Sequence, residues 1–174
     1  ATFSEDSSEK QYSLDNITWY NYTESISFAN NGVIYFRAID EAGNISDVTT
    51  YEVTNIDKIA PTLEITGNPT QWTNQDVTLT ADVSDGIVEF FNGSKWIAGN
   101  VQTVADNGTY QFRVTDEAGN VTTKDIFVDK IDKDAPIAPI ASTNTTSITN
   151  QDVIVKATFS EDSSEKQYSL DNIT

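Results

Sequence analysis

The chain of 174 residues contains no cysteine, no methionine and no histidine. Without cysteine, no disulfide can stabilise the fold, which must depend on packing and on neighbouring units. The absence of histidine and cysteine also excludes the commonest general base, the thiol nucleophile and nearly all zinc sites. We therefore expect a protein that is not an enzyme.

Basic residues are scarce as well. Lys and Arg number 10 against 27 Asp and Glu, which gives a formal net charge of −17. Nucleic acids and anionic membranes require a basic face, so we expect neither as a partner. The hydrophobic fraction of 37% is sufficient for small cores and too high for a disordered tail. No stretch resembles a signal peptide or a membrane span.

A repeated sequence dominates what is present. The segment ATFSEDSSEKQYSLDNIT at 1–18 returns unchanged at 157–174, which is 156 residues later. Two shorter motifs return after 76 residues, namely DEAGN (40–44 and 116–120) and TNQDV (73–77 and 149–153). Two related modules therefore alternate, and the chain reads as a window from a longer tandem array.

Ala-Pro pairs at 60–61 and 135–136 mark the module boundaries. We predict a module lacking its first strand or strands at 1–58, a complete module at 59–134, and the first strands of the next module at 135–174. Proline fixes φ and holds the preceding residue extended, and neither linker contains a Gly/Ser tract. This predicts a semi-rigid rod in which each module adds roughly 35–40 Å.

Alternating apolar residues predict β-strands. The alternation is clearest in Val77–Val83, Val153–Phe159, Tyr110–Val114 and Ile34–Ala38, and no segment has a 3.6-residue period. In both copies of DEAGN the glycine can supply a left-handed residue and the first aspartate can accept bonds from turn amides, which predicts hairpins. Roughly seven short strands per module predict an all-β sandwich.

The segment DNGTYQF at 106–112 resembles the D-x-G-x-Y-x-C signature of immunoglobulin domains, with Phe112 in the place of cysteine. The resemblance implies that Tyr110 begins strand F and that its hydroxyl forms a tyrosine corner. The related segment at 30–36 has Ile34 in the place of the tyrosine, so no corner is expected there.

A longer pattern resembles the bacterial immunoglobulin-like repeats of giant surface proteins. The matching residues are Tyr12-Ser-Leu-Asp15, Trp19, Tyr22, Gly32, Arg37-Ala-Ile-Asp40 and Ala42-Gly-Asn44, then Arg113, Asp116 and Ala118-Gly-Asn120. The resemblance implies tandem immunoglobulin-like β-sandwich modules. Such repeats usually serve as stalks or spacers in adhesins and cell-surface fibres, and some bind calcium or sugars.

Acidic residues near the junctions are the candidate metal ligands. Asp129, Asp132 and Asp134 crowd one junction and Asp57 lies at the other. Calcium takes several oxygen ligands from such sets, and a bound ion would stiffen the joint. Solvated surface charges are the alternative interpretation, since the spacing matches no EF-hand loop. No other cofactor is expected.

Aromatic residues suggest carbohydrate as a second candidate ligand. Trp19, Tyr20 and Tyr22, together with Trp72 and Trp96, could stack on sugar rings. The alternative is plain apolar packing, because a sandwich core needs one or two large rings.

The two end regions are predicted to be incomplete modules. Ala1 is equivalent to Ala157, inside the predicted strand Val153–Phe159, so the first module lacks the preceding strand and half of this one. An open sheet edge favours strand addition. We expect neighbouring repeats as partners and head-to-tail self-association by strand complementation, in which the two copies of the 18-residue segment compete for one position.

These patterns favour a mechanical function. We expect a structural spacer, stalk or fibre-forming repeat of a bacterial surface adhesin, located outside the cell and serving cell adhesion. The alternative is a carbohydrate- or calcium-binding immunoglobulin-like module. We expect no nucleic acid partner and no membrane contact by this segment.

Overall fold

The computed structural model describes residues 1–170, which contain thirteen β-strands and no helix. The strands are β1 (Glu9–Ser13), β2 (Tyr20–Asn21), β3 (Gly32–Ile39), β4 (Thr49–Val53), β5 (Leu63–Thr66), β6 (Val77–Val83), β7 (Ile87–Phe91), β8 (Trp96–Ala98), β9 (Val101–Val104), β10 (Gly108–Thr115), β11 (Val121–Val128), β12 (Ile140–Thr143) and β13 (Val155–Thr158). The last four residues of the second 18-residue copy, 171–174, lie outside the described residues.

Strands β5 to β11 form a central two-layered sandwich. One sheet has the order β5-β6-β9 and the other β11-β10-β7-β8, with every neighbouring pair antiparallel. The buried core between the sheets comprises Leu63, Val77, Leu79, Ala81, Val104, Phe112, Val114, Val128 and Ile131. The predicted all-β sandwich is confirmed.

Strand periodicity determines which residues enter this core. In β6 the buried side chains of Val77, Leu79 and Ala81 alternate with outward positions, as predicted. In β10, Phe112 and Val114 are fully buried. Tyr110 is the third residue of β10 and not the first, because pairing with β11 already begins at Gly108.

Strands β1 to β4 form a single N-terminal sheet with the order β2-β1-β3-β4. Its register aligns Tyr12 with Phe36, and Phe36 with Thr49. Strands β12 and β13 form a separate hairpin, here called the tail hairpin, in which Ile140 pairs with Thr158. Every residue of both tail strands is exposed, so the tail hairpin does not cover the N-terminal sheet.

The two copies of the repeated segment differ in structure. The sequence EKQYS is strand β1 at Glu9–Ser13, where it pairs with β2 and β3, and is not a strand at 165–169. The predicted strand Val153–Phe159 is also wrong at both ends, because β13 spans Val155–Thr158. Strand β6 has two paired neighbours, whereas β13 has only β12 among the described residues. Tertiary pairing therefore decides how far these strands extend.

Both DEAGN hairpins are confirmed. Gly43 and Gly119 have φ of 84° and 88°, the left-handed conformation that such turns require. Asp40 Oδ1 accepts bonds from the amides of Ala42 and Asn44 at 2.9 and 2.8 Å. The two turns follow directly after β3 and β10. Asn44 and Asn120 therefore lie at equivalent ends of their two sheets.

Candidate functional site

One face of the N-terminal sheet carries the buried Ile34 and the half-buried Phe36, and no second sheet covers it among residues 1–170; we call it the open face. It contains a groove with a cavity volume of about 390 Å³. The residues around this groove are Ala1, Tyr22, Ser25, Ile26, Phe28, Ile34, Phe36, Thr49, Tyr51 and Val53. Phe36 is half-buried, whereas Phe112, its equivalent 76 residues later, is fully buried in the central core. The open face thus has the composition of a sandwich interior without its second layer.

An aromatic cluster fills one end of the open face. The ring centroid of Phe3 lies 5.4 Å from that of Tyr22 and 6.3 Å from that of Phe36, and Tyr22 and Phe36 are in edge contact at 5.5 Å. Such geometries are favourable for aromatic pairs. Phe3 is the first copy of Phe159, which is in turn equivalent to Val83 at the end of β6. Phe3 thus contacts the equivalent of Phe112, and Val83 packs against the core that contains Phe112.

The tail hairpin exposes the residues that its equivalent buries. Val153 and Val155 are 50% and 68% exposed, whereas their equivalents Val77 and Leu79 are 5% and 0% exposed. An exposed apolar strand of this kind is unusual in a folded domain. The open face and the tail hairpin are thus two surfaces of complementary character.

One side of the groove is formed by the equivalent of a strand in the central sandwich. In the central sandwich, β9 (Val101–Val104) pairs with β6 in a register that aligns Val77 with Val104. The equivalent segment in the first module is Ser25–Phe28, which lines the groove and forms no strand. This segment has no β6 equivalent beside it among residues 1–170, so its backbone edge is unpaired by any strand.

The linker that enters the central sandwich is bonded to it. Asn120 Nδ2 donates to the carbonyl oxygens of Asp57 and Ile59 at 3.3 and 3.5 Å. Thr122 Oγ1 donates to the Pro61 carbonyl at 2.6 Å. The turn after β10 and the start of β11 therefore hold the entering linker. All three acceptors are backbone carbonyls of the linker, so these bonds do not depend on the linker side chains.

The linker that leaves the sandwich is bonded as well. The Thr73 amide donates to the Lys130 carbonyl, and the Asp132 amide donates to the Thr73 carbonyl, both at 2.9 Å. Lys133 forms an ion pair with Asp76. Both linkers are therefore fixed where they meet the central sandwich.

The four candidate metal ligands do not come together. Asp57 Oδ1 and Asp132 Oδ1 accept bonds from the amides of Ile59 and Asp134, at 2.9 and 3.0 Å, in the same type of local turn. Asp129 lies 3.7 Å from the ammonium group of its neighbour Lys130, and Asp134 is exposed. Within residues 1–170 no group of three or more acidic side chains is placed to hold a metal ion. Calcium at the junctions stays a prediction.

Each tryptophan stacks with a cation. Arg37 lies 4.0 Å from the Trp19 ring centroid and Arg113 lies 4.3 Å from that of Trp96. Lys130 lies 4.9 Å from the centroid of Trp72, which is 66% exposed. None of these three rings belongs to the buried core, so the structure does not show the alternative of plain core packing. Trp19 and Trp96 are half-buried on the outer sheet faces, where the two outward arginines cover them.

Two asparagines hold the ends of the modules, and the sequence patterns did not reveal them. Asn107 Nδ2 donates to the Ile131 carbonyl and Asn107 Oδ1 accepts from the Ile131 amide, both at 2.8 Å. Asn31 makes the same pair of bonds with Ile56, at 3.0 and 2.8 Å. The available signal was a recurring Asn-Gly and a recurring Ile-Asp-Lys, but Asn-Gly ordinarily indicates a turn.

Three aspartates act as local turn acceptors. Hydrogen bonds from the Asn44 side chain and amide lower the pKa of Asp40, and those from Asn120 lower the pKa of Asp116. The amides of Thr18 and Ile17 donate to Asp15 at 2.7 and 2.8 Å and lower its pKa strongly. These three ionised carboxylates accept hydrogen bonds from the amides of their own turns, so their role is to stabilise the turns.

The tyrosine corner is present in the central sandwich. Tyr110 Oη donates to the Asp106 carbonyl at 2.7 Å. Burial, with a further contribution from the charge of Asp106, raises the pKa of Tyr110. This bond fixes the start of β10 against the preceding loop, as the immunoglobulin-like signature implied.

Comparison with known proteins gives this chain no family. Residues 1–170 contain no helix that could span a membrane. No family model matches the sequence, and no curated protein matches it either.

Proposed function

We propose that this chain is a segment of a bacterial surface adhesin in which tandem immunoglobulin-like modules serve as a spacer, stalk or fibre body. Its role is mechanical: it holds a terminal binding or anchoring domain at a distance from the cell. The proposed location is extracellular, at the bacterial surface. The proposed partners are neighbouring repeats of the same protein, joined head to tail by strand complementation.

The observation that carries this proposal is the bonding of both linkers to the central sandwich. The entering linker is held by Asn120 and Thr122, and the leaving linker is held by Thr73. A ligand-binding domain needs no such control over its neighbours, whereas a stalk does, because free rotation at each joint would shorten it.

Charge and composition support the same proposal. The net charge of −17 favours solubility and mutual repulsion between successive modules, which extends an array. The cations stacked on the three tryptophans disfavour the carbohydrate alternative, because a sugar would have to displace them.

The length of concatenated chains tests the proposal. Proteins with two, three and four copies of the 156-residue period would be compared by small-angle X-ray scattering. A stalk predicts that the maximum dimension grows linearly, by roughly 70–80 Å per two-module period. Growth with the square root of copy number would indicate a flexible chain and would contradict a stalk.

Binding measurements separate the stalk from its alternative. Calorimetric titration with calcium and a glycan array would be run on the same proteins. The stalk proposal expects no glycan binding and no calcium requirement for length. A ligand that binds without stiffening the chain would favour the binding-module alternative.

A further inference from the structure

Resting on the proposed head-to-tail assembly, we propose its interface: the open face takes the tail hairpin of a second copy of this sequence, and Val153–Lys156, which overlaps the start of β13, adds as a strand beside Ser25–Phe28. The copy that supplies the hairpin can be another molecule or an adjoining repeat of one longer polypeptide. The chemistry is the same in both cases, because the two sequences are identical.

The central sandwich supplies the template for this interface. There, β6 lies between β5 and β9, and its inward side chains Val77 and Leu79 belong to the same buried core as Phe112. In the tail hairpin, β13 has its β5 equivalent, β12, already in place. Its other edge is unpaired by any strand among the described residues. The hairpin therefore carries two of the three strands of the missing layer, and the open module carries the third.

The repeat spacing fixes the register. Val77 pairs with Val104 and Leu79 with Gln102 in the central sandwich. The equivalents of Val77 and Leu79 lie 76 residues later, at Val153 and Val155, and those of Val104 and Gln102 lie 76 residues earlier, at Phe28 and Ile26. Val153 is therefore placed opposite Phe28, and Val155 opposite Ile26. Both Phe28 and Ile26 line the groove. The two exposed valines thus enter the cavity of about 390 Å³, and the backbone edge of each partner gains a ladder of hydrogen bonds.

The first copy of the repeated segment occupies part of this position. Ala1–Phe3 corresponds to Ala157–Phe159 of the incoming hairpin, and Phe3 already contacts Tyr22 and Phe36. When the hairpin docks, its Ala157–Phe159 replaces Ala1–Phe3 of the receiving copy, which has the same sequence. The exchange itself is balanced, so the net gain comes from the burial of Val153 and Val155 and from the new ladder.

A second contact follows from the linker geometry. Asn120 Nδ2 donates to the carbonyls of Asp57 and Ile59 where the preceding linker enters. The equivalent groups at the next junction are the Asn44 side chain and the carbonyls of Asp132 and Asp134. In the complex, Asn44 of the receiving copy donates to these two carbonyls of the donating copy. Two of the candidate metal ligands, Asp132 and Asp134, then act through their backbone carbonyl oxygens and not through their carboxylates.

Sedimentation velocity on the 174-residue chain and four variants tests the interface. Val155→Asp places a charge on the donating strand, and Ile26→Asp places one on the receiving edge. The matched controls are Thr158→Asp, at the position where β6 has the exposed Asp82, and Ser27→Asp, at the outward position beside Ile26. All four change the net charge equally. Added salt screens the repulsion between chains.

The wild-type chain and both controls are expected to form species larger than dimers as concentration rises, because the interface is heterologous and does not close. Val155→Asp and Ile26→Asp alone are expected to stay monomeric. Mixed together they are expected to form a 1:1 complex, since each retains the half that the other lacks. This complex also shows that both variants are folded.

Three results would overturn the interface. They are a monomeric wild-type chain, association of the two variants equal to that of wild type, and a mixture that fails to form the 1:1 complex. None of them bears on the linear growth in length expected of a stalk, so the failure of this inference and the failure of the proposed function are distinguishable.

Discussion

Asn107 holds Ile131 through both backbone polar groups of that residue, with its Nδ2 and Oδ1 each 2.8 Å from their partners. Ile131 is the last buried residue before the leaving linker, and its side chain belongs to the central core. One amide side chain therefore fixes the point at which the core ends and the linker begins. The same relationship between Asn31 and Ile56 indicates that it is a module-level feature.

Removing the two hydrogen bonds between Asn107 and Ile131, here called the Asn107 clamp, is expected to destabilise the central sandwich. Asn107→Ala leaves a backbone amide and a backbone carbonyl without partners, and is expected to lower the free energy of unfolding by about 1–3 kcal/mol. Urea denaturation measures the change. Asn74→Ala is the matched control, because the Asn74 side chain is exposed and bonds the side chain of its neighbour Gln75. Equal losses in the two variants would contradict the clamp.

The tyrosine corner offers a second test. Tyr110→Phe removes the bond to the Asp106 carbonyl and keeps the ring, so the free energy of unfolding is expected to fall by about 0.5–1.5 kcal/mol. Tyr51→Phe serves as the control, since Tyr51 is 64% exposed. Thermal denaturation of both variants measures the loss of stability. Equal losses in the two variants would show that the bond from Tyr110 to Asp106 does not stabilise the fold.

Two glycines with the same backbone angle separate strain from steric overlap. Gly67 and Gly93 both have φ of 91°, so alanine at either position incurs a strain of roughly 1–2 kcal/mol. A Cβ at Gly67 would lie 2.1 Å from the Thr78 carbonyl oxygen, whereas a Cβ at Gly93 meets nothing within 4 Å. Gly67→Ala is therefore expected to lower the urea midpoint much more than Gly93→Ala. A similar loss in both would mean that β5 and β6 can move apart freely.

The lowered pKa of the hairpin aspartate Asp116 predicts that the free energy of unfolding falls in acid. Hydrogen bonds from Asn120 lower the pKa of Asp116 below its unfolded value. The resulting stabilisation is present above the unfolded pKa and is lost as pH falls through the folded pKa. Asp116→Asn is thus expected to flatten the decline in stability below about pH 4. Asp82→Asn, in an exposed strand position, is the matched control, and a flatter decline in this variant than in Asp116→Asn would refute the assignment.

Much of the central sandwich could be predicted from the sequence. The alternation in Val77–Val83 gives β6 its bounds and its buried face, because both of its edges are paired and one face is covered. The hairpin glycines are equally local, since a positive φ is a property of one residue. For these features, local pattern and tertiary environment agree.

The ends of the chain could not be predicted in the same way. The sequence EKQYS forms a strand beside β3 and none where β3 has no counterpart among the described residues. The surroundings of the tryptophans could not be predicted either, because the sequence does not distinguish an inward ring from an outward ring covered by arginine. Likewise, an Asn-Gly pair does not reveal that the asparagine reaches a residue 24 positions away.

The proposed assembly depends on one pairing, in which the N-terminal sheet forms one layer of a sandwich and the tail hairpin forms part of the second layer. Its most direct test places residues 135–156 immediately before Ala1, which restores Val153–Phe159 as a continuous sequence. Hydrogen exchange of the amides in Ser25–Phe28 would then be followed by mass spectrometry. The same chain with Val155→Asp in the added segment is the control.

In the chain with the added segment, exchange in Ser25–Phe28 is expected to slow by an order of magnitude or more, because the added strand pairs with that edge. The control is expected to show no such slowing. Unchanged exchange rates with and without the added segment would contradict this pairing.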